Sequence, residues 1–221
     1  FVTRIASGCS EQEAAFETEW HHKYILSMSS KFLLHLTPDF SAVIDTDGKK
    51  TGSYEYFNKP NGLKHWLENS NHGFMRIKDP NYNHELDNTF VILLDPDMVL
   101  LRPITNDFSD HPGTSLGKAA IGKPYAQEYG FGNQWMKLDL TQVTGDPNTP
   151  AKSVSAEEGL AHFPVGPPYI AALPDMYHIA TSWSLFVPEV HKQYPHLLAE
   201  DRKSTRLNSS HSSVFRMPSS A

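Results

Sequence analysis

The chain has 221 residues, a formal net charge of -6 and 39% hydrophobic residues, which suits one α/β domain or part of a larger one. The acidic balance argues against non-specific nucleic-acid binding, because such binding needs a basic face to neutralise phosphates. The single cysteine excludes an internal disulfide framework and a cysteine-based zinc cluster.

The first 70 residues alternate between strand and helix patterns. Ser10, with Glu13 three residues later, forms a capping-box pattern at the start of a helix. Asn58 is predicted to cap a later helix, because Pro60 then falls in its first turn. The predicted elements are a strand at Phe1–Ile5, a helix at about Glu11–Trp20, a strand at Lys31–Leu36 and a helix from Asn58.

A continuous apolar run, Phe90–Leu94, leads directly into Asp95-Pro96-Asp97. Such a run predicts a strand buried on both faces, as in the middle of an α/β sheet. Ligands of open α/β sheets bind just beyond the carboxyl ends of the strands. The two carboxylates therefore stand where a ligand is expected.

Pro96 adds a geometric expectation for the two acids. A residue before proline favours extended conformations, and in an extended segment residues i and i+2 point to the same side. Asp95 and Asp97 are therefore predicted to face one ion or ligand, and their like charges need a cation between them. Hard carboxylate ligands suit Mg²⁺ or Mn²⁺. The alternative is an ordinary Asp-rich turn at the end of a strand.

Other candidates are weaker. Lys59 at a helix start could contact a phosphate, as could Arg4, although spacing alone favours solvated side chains. His35 could be a ligand, but a half-buried, hydrogen-bonded histidine is the simpler interpretation. Gly166 and Pro167 are predicted to form a rigid turn before a short strand, either an ordinary turn or one that shapes a sugar or acceptor pocket.

The C-terminal half predicts one more strand and one long amphipathic helix. The strand is expected at Ala119–Ala126, and the helix opens at Pro174. Its apolar residues repeat with a period of 3.6. Residues 201–221 are Ser-rich, resemble the translation of a sequencing adapter and are expected to be a non-native, disordered tail.

Seven segments of the chain resemble, in order, one family. They are TRIASGC (Thr3–Cys9), HLTPDFS (His35–Ser41), YFNKPNGLKHWLENS (Tyr56–Ser70), ILLDPDMVLLRPITNDFS (Ile92–Ser109), QEYGFG (Gln127–Gly132), VGPPYIA (Val165–Ala171) and FVPEVHKQYPHLLAE (Phe186–Glu200). They resemble the plant and algal hydroxyproline O-arabinosyltransferase and peptidyl serine α-galactosyltransferase group. The resemblance spans nearly all of residues 1–200 but does not specify the sugar.

The resemblance implies an α/β, GT-A-like nucleotide-sugar-binding fold with a mixed, mostly parallel sheet, incomplete at both ends of this chain. It implies retaining transfer of a sugar from a UDP-sugar donor to hydroxyproline or serine of a secreted or cell-wall glycoprotein, with Mn²⁺ or Mg²⁺. It also implies a type II membrane protein of the Golgi or secretory-pathway lumen, its anchor outside this fragment. Residues 1–200 would be a partial catalytic domain.

The same resemblance assigns residue roles. Asp95 and Asp97 would take the metal, with Asp95 also at the donor, and Glu200 would lie on the catalytic, acceptor side. The remaining donor-binding residues would be Thr3, Arg4, Ser7, Asn58, Lys59, Gly166 and Pro167. The family's earlier nucleotide-binding strand and its later metal-binding histidine do not appear in this sequence, so the chain alone is expected to bind donor poorly.

Two other function classes remain open from the sequence. One is a non-enzymatic or inactive nucleotide-sugar-binding relative, against which the clustered acids argue mildly. The other is a phosphohydrolase with an aspartate nucleophile in a D-x-D motif. That class places the motif on its first strand followed by Thr or Val, whereas here strands precede it and Met98 follows Asp97.

Overall fold

A computed structural model of the chain describes residues 1–70, 77–98, 100, 103–110, 116–128 and 133–207, and for residues 196–207 it describes the backbone alone. The strands are β1 Val2–Ser7, β2 Phe32–Thr37, β3 Ala42–Ile44, β4 Lys50–Ser53, β5 Phe90–Leu93, β6 Tyr125–Glu128 and β7 Val165–Ala172. The α-helices are α1 Glu11–Trp20, α2 Asn58–Asn69, α3 Leu140–Thr144, α4 Ala156–His162 and α5 Leu173–Leu207. A π-helical turn, His21–Ile25, continues α1, and short 3₁₀ turns occupy Glu55–Phe57, His84–Asn88, Gln134–Lys137 and Pro150–Ser153.

The described strands form three small sheets. β1 and β2 are parallel, β3 and β4 are antiparallel, and the third sheet has the order β5-β7-β6 with both pairs antiparallel. The molecule is therefore mixed α/β, as predicted. The expectation of a mostly parallel sheet is wrong for the described strands, because only one of their pairings is parallel.

The central apolar run does form a strand, but not in the predicted environment. Within the described residues β5 pairs only with β7, so it lies at the edge of its sheet. Val91 alone in β5 is buried, while Phe90, Ile92 and Leu93 are partly exposed. A continuous apolar run does not distinguish a central strand from an edge strand packed beneath a helix.

The buried core lies between α2, the third sheet and the start of α5. Leu63 and Leu67 of α2 join a cluster that contains Val91 of β5. The other fully packed members are Ala171, Leu173, Met176 and Ala180. Ile5 of β1 packs against this cluster from the side of the parallel sheet, so α2 contacts both sheets that flank the candidate site.

Local sequence signals predicted the N-terminal helix well and the second helix only in part. Ser10 and Glu13 form the expected capping box, with Ser10 N–H donating to Glu13 Oε2 at 2.8 Å. α2 begins at Asn58 as expected, but Asn58 does not cap it; Phe57 occupies the cap position without a side-chain hydrogen bond. The amide of Asn58 is engaged elsewhere, since its Oδ1 accepts from Phe40 N–H at 2.7 Å.

The C-terminal half departs from prediction at its strands. Gly166 and Pro167 lie within β7 and are buried there, so the predicted turn is wrong. The strand expected at Ala119–Ala126 is instead β6, Tyr125–Glu128. Both shifts follow from pairing between β6 and β7, which a single segment does not reveal.

The start of the long C-terminal helix was predicted, but the helix extends further than the sequence indicated. α5 begins at Leu173 and runs through Leu207, with Pro188 and Pro195 inside it. It thus extends past Asp201, where the tail was expected to start, and residues 208–221 lie outside the described part of the chain. Among the described helices, none combines the length and the hydropathy that a bilayer span requires.

The close approach of α2 to β1 predicts a penalty for Gly62→Ala. A Cβ at Gly62 would lie 2.7 Å from Ser7 Oγ, and such overpacking costs about 1–3 kcal/mol. That cost outweighs the roughly 1 kcal/mol that alanine gains in helix propensity. Denaturant unfolding should show lower stability for Gly62→Ala and partial recovery in Ser7→Ala/Gly62→Ala, whose nearest remaining contact is Ile5 at 3.4 Å. A Gly62→Ala variant as stable as the parent chain would contradict this packing.

Glu68 predicts acid sensitivity of the contact between α2 and α5. Burial would raise its pKa, but hydrogen bonds from Lys78, Tyr177 and Lys64 together lower it from 4.5; Tyr177 Oη donates to Glu68 Oε1 at 2.7 Å. Because the folded-state pKa is lowered, the stabilisation is present above the unfolded pKa and is lost as pH falls through the folded pKa.

The measurement is the free energy of unfolding between about pH 5 and pH 3. Glu68→Gln should lose less stability over this range than the parent chain. Glu19→Gln, at an exposed position of α1, is the matched control and should follow the parent. Equal acid losses for Glu68→Gln and the parent would refute the assignment.

Candidate functional site

The site is built around an ion pair between the end of β5 and the first turn of α2. Lys59 Nζ donates to Asp95 Oδ1, and both side chains are about one-third exposed, at 31% and 30%. Partial shielding from water makes such a pair more valuable than a fully exposed one. The cation that the clustered acids were expected to need is therefore, in this structure, a lysine of the same chain.

Two aromatic residues complete the surroundings of this pair. Tyr169 of β7 is paired with Leu93 in the sheet register, and burial followed by the charge of Asp95 raises the pKa of its hydroxyl. Trp183 of α5 lies beside both groups, with Lys59 Nζ 5.8 Å from its ring centre and the Tyr169 ring centre at 6.2 Å. The surroundings of the ion pair thus take one side chain each from the turn after β5, from β7, from α2 and from α5.

The Asp95-Pro96-Asp97 segment is a turn and not the predicted extended segment. Met98 N–H donates to Asp95 C=O at 3.1 Å, which places Pro96 at the second position of a β-turn, where its fixed φ is favoured. Asp95 is half-buried, whereas Asp97 is exposed on the turn. Pro96 therefore sets the turn, and the i, i+2 argument for two acids facing one point does not hold.

The donor set fits a hard divalent cation only in part. Carboxylate oxygens are the right ligands for Mg²⁺ or Mn²⁺, and Asp97 is accessible. In the described ranges, however, no three His, Cys, Asp or Glu side chains meet at one point. Asp97 is thus the accessible carboxylate, and an ion bound by it would take most of its other ligands from substrate oxygens and water.

Asn58 links the start of α2 to the loop between β2 and β3. Its Oδ1 accepts from Phe40 N–H, and its Nδ2 donates to Asp39 Oδ1 at 3.2 Å. Asp39 also accepts from the N–H and hydroxyl of Ser41, both at 2.9 Å. These hydrogen bonds, that of Ser41 N–H first, lower the pKa of Asp39. Asn58 therefore positions a loop, and its neighbour Lys59 is fixed with it.

Ser7 lies at the carboxyl end of β1, where the parallel sheet meets α2. Thr37, its register partner at the end of β2, donates its hydroxyl to Ser7 Oγ at 2.8 Å. Gly8 follows with φ +79°, and a Cβ there would lie 3.2 Å from Asp39 Oδ1. The two strand ends thus present hydroxyl groups, a glycine turn and a carboxylate, all at the sheet edge where ligands are expected.

Arg4 and Thr3 lie in the middle of β1 and not at its end. Arg4 Nη1 pairs with Glu17 of α1 at 2.6 Å, and its guanidinium lies 5.5 Å from the Trp20 ring centre. Its contacts are therefore with α1. Thr3 is half-buried opposite Leu33 of β2.

The remaining predicted residues are not brought to the ion pair by any described contact. Gly166 pairs with Gln127 of β6 near the N-terminal end of β7. Pro167 follows Gly166 in the same strand. Glu200 lies in α5, and its side chain is outside the described residues. The structure thus joins Lys59, Asp95 and Asn58 into one region. No described contact brings Gly166, Pro167 or Glu200 to that region.

Sequence reasoning missed Tyr169, Trp183, Asp39 and Thr37 as parts of the site. Trp183 lies on the apolar face of the helix predicted to open at Pro174, and that position indicates only a core residue. Asp39 and Thr37 stood in the quoted HLTPDFS segment without a role, and Tyr169 directly follows the Gly-Pro-Pro sequence. A polar residue at the end of a predicted strand was the available signal for Thr37 and Asp39.

Comparisons with known proteins add no family to this picture. No protein-family model matches the chain, and it matches neither a curated protein nor a solved structure.

Proposed function

We propose that the chain is the nucleotide-sugar-binding part of a GT-A-like, metal-dependent retaining glycosyltransferase. Its donor would be a UDP-sugar, and its acceptor the hydroxyproline or serine of a secreted or cell-wall glycoprotein in the Golgi or secretory-pathway lumen. The acceptor, the compartment and the stereochemistry come from the resemblance of the quoted segments alone. The donor site has additional support in the arrangement of side chains.

The observation that carries the proposal is the Lys59–Asp95 pair at the carboxyl end of β5, with Asp97 exposed two residues later. A diphosphate needs cationic partners, and a divalent ion that binds it needs carboxylates. Both kinds of group lie together just beyond the end of β5. The N-terminal end of α2 adds its positive dipole to the same place.

The residues around the Lys59–Asp95 pair would each contribute to donor binding. Lys59 would move from Asp95 to a phosphate oxygen, which releases the carboxylate for a divalent cation. Bound Mn²⁺ or Mg²⁺ would supply Lewis-acid stabilisation of the leaving diphosphate. Asn58 keeps Lys59 in position through its two hydrogen bonds to the β2–β3 loop. Trp183 and Tyr169 shield one side of the ion pair from water.

A second candidate is a relative that binds a nucleotide-sugar without transferring the sugar. Two observations favour it. Asp95 already has a lysine partner, and in the described part of the chain no three potential metal ligands meet at one point. Sugar transfer distinguishes the two candidates. Labelled UDP-sugars with a hydroxyproline-rich peptide should give a glycopeptide only if the first candidate is right.

The donor site itself is tested by calorimetry with UDP in the presence and absence of Mn²⁺, at UDP concentrations high enough to measure the weak binding expected of this chain. Asp97→Asn should abolish the Mn²⁺-dependent part of UDP binding. Lys59→Met should weaken UDP binding roughly 10- to 100-fold, since a hydrogen bond to a charged group contributes about 1.5–3 kcal/mol. Lys59→Met should leave Mn²⁺ binding by itself intact, because it frees Asp95.

Matched controls are Asp47→Asn and Lys31→Met, which change an exposed aspartate and an exposed lysine elsewhere. Both should bind UDP like the parent chain. UDP binding that is independent of Mn²⁺ and unaffected by Asp97→Asn and Lys59→Met would remove the basis of the proposal. Hydrolysis of an aryl phosphate that depends on Asp95 would instead favour a phosphohydrolase.

A further inference from the structure

A second group of side chains capable of coordination lies away from the Lys59–Asp95 pair. Four histidines line one cavity of about 430 Å³: His21, His22, His35 and His65. They come from three elements, the π-helical turn, β2 and α2. The remaining lining residues carry no Asp, Glu, Lys or Arg side chain, so no fixed positive charge in this wall repels a cation.

His35 and His65 are already at a separation suited to sharing one ion. His35 Nε2 lies 3.0 Å from His65 Nδ1, and the ring centres are 5.2 Å apart. Two nitrogens bound to one tetrahedral Zn²⁺ at the usual bond lengths stand roughly 3.3 Å apart. A metal ion would take the place of the shared proton once the two rings turn so that both nitrogen lone pairs point at it. On metal binding, the imidazole ring that had donated this proton would hold its proton on its other nitrogen instead.

His21 lines the same cavity and carries a buried ring nitrogen that lacks a hydrogen-bond partner. It is 3% exposed, and its Nε2 lies 3.3 Å from Phe32 C=O. A carbonyl only accepts, so in the hydrogen-bonded ring Nε2 carries the proton, and Nδ1 of the neutral ring presents a lone pair. This Nδ1 is buried without a hydrogen-bond partner. Buried polar atoms are nearly always satisfied, and an orphan of this kind calls for a ligand or a water.

The chemistry of the cavity selects the class of ion. Imidazole nitrogens suit Zn²⁺, Cu²⁺ and Ni²⁺, whereas Mg²⁺ and Ca²⁺ prefer the oxygen ligands found at Asp95 and Asp97. The two regions are thus distinguishable by metal preference.

We propose that the chain binds one Zn²⁺-class ion between His35 and His65, separately from the donor site. The ion would join β2 to α2, the helix that also carries Lys59, and would therefore stabilise the folded chain. In the described part of the chain no three candidate ligands meet at one point, so water completes the coordination.

Zn²⁺ titration of the 221-residue chain by calorimetry, with thermal unfolding as a second readout, tests this site. The parent chain should bind one equivalent and unfold at a higher temperature with Zn²⁺, because a ligand of the native state stabilises it. His65→Gln and His35→Gln should each weaken Zn²⁺ binding by about 10- to 100-fold or more. Loss of a residue that only hydrogen-bonds to a metal ligand already costs about that much. His84→Gln, whose ring is exposed, and Asp97→Asn should bind Zn²⁺ like the parent.

His35 is buried, so its variant needs a check that does not depend on folding. In the parent chain, the ring-nitrogen NMR signals of His35 and His65 should shift on adding Zn²⁺, whereas those of His84 should stay. No Zn²⁺ binding by the parent, or binding that survives both His35→Gln and His65→Gln, would overturn the proposal. Loss of binding in His84→Gln instead would place the ion elsewhere.

Discussion

The packing of α2 is the interaction on which the described structure depends. Leu63 and Leu67 are 1% and 0% exposed and join one cluster with residues of β5, β7 and α5. Burying a leucine contributes about 1.5–3 kcal/mol, so these two side chains alone represent a large share of a typical folding free energy. The small sheets have few pairings of their own and need this helix to hold them together.

The same helix places most of the groups with chemical potential. Its first turn carries Asn58 and Lys59 toward the end of β5 and the β2–β3 loop. One turn later, Gly62 lets the helix approach Ser7 at the end of β1, and His65 then reaches His35 in β2. Because these residues project from one rigid element, a change in α2 packing would move the Lys59–Asp95 pair and the histidine cavity together.

The electrostatics of the site follow from partial burial. A half-buried carboxylate at a strand end is costly without a partner, and Lys59 supplies one. The nearby positive end of α2 favours negative charge in the same place. The pair is therefore stable as it stands, and a phosphate that displaces Asp95 must replace its interaction with Lys59. In the proposed donor site, this exchange would couple donor binding to release of the carboxylate.

How far the sequence predicted this structure depended on the range of the interactions. The capping box of α1 and the start of α2 were predictable because they depend on residues three or four positions apart. β1, β2 and β5 were also found from their apolar runs. The turn at Pro96 was misread because proline favours both an extended preceding residue and the second position of a β-turn.

The sequence by itself determined α1, the start of α2, the apolar strands β1, β2 and β5, and which residues carry charge at the end of β5. Only the tertiary structure decided that β5 lies at a sheet edge, that Gly166 and Pro167 belong to β7, and that Asp95 is neutralised by Lys59. It also decided that His35 meets His65, 30 positions away. Such pairings join residues distant in sequence, and no local pattern of side chains encodes them, because they follow from how sheets and helices pack.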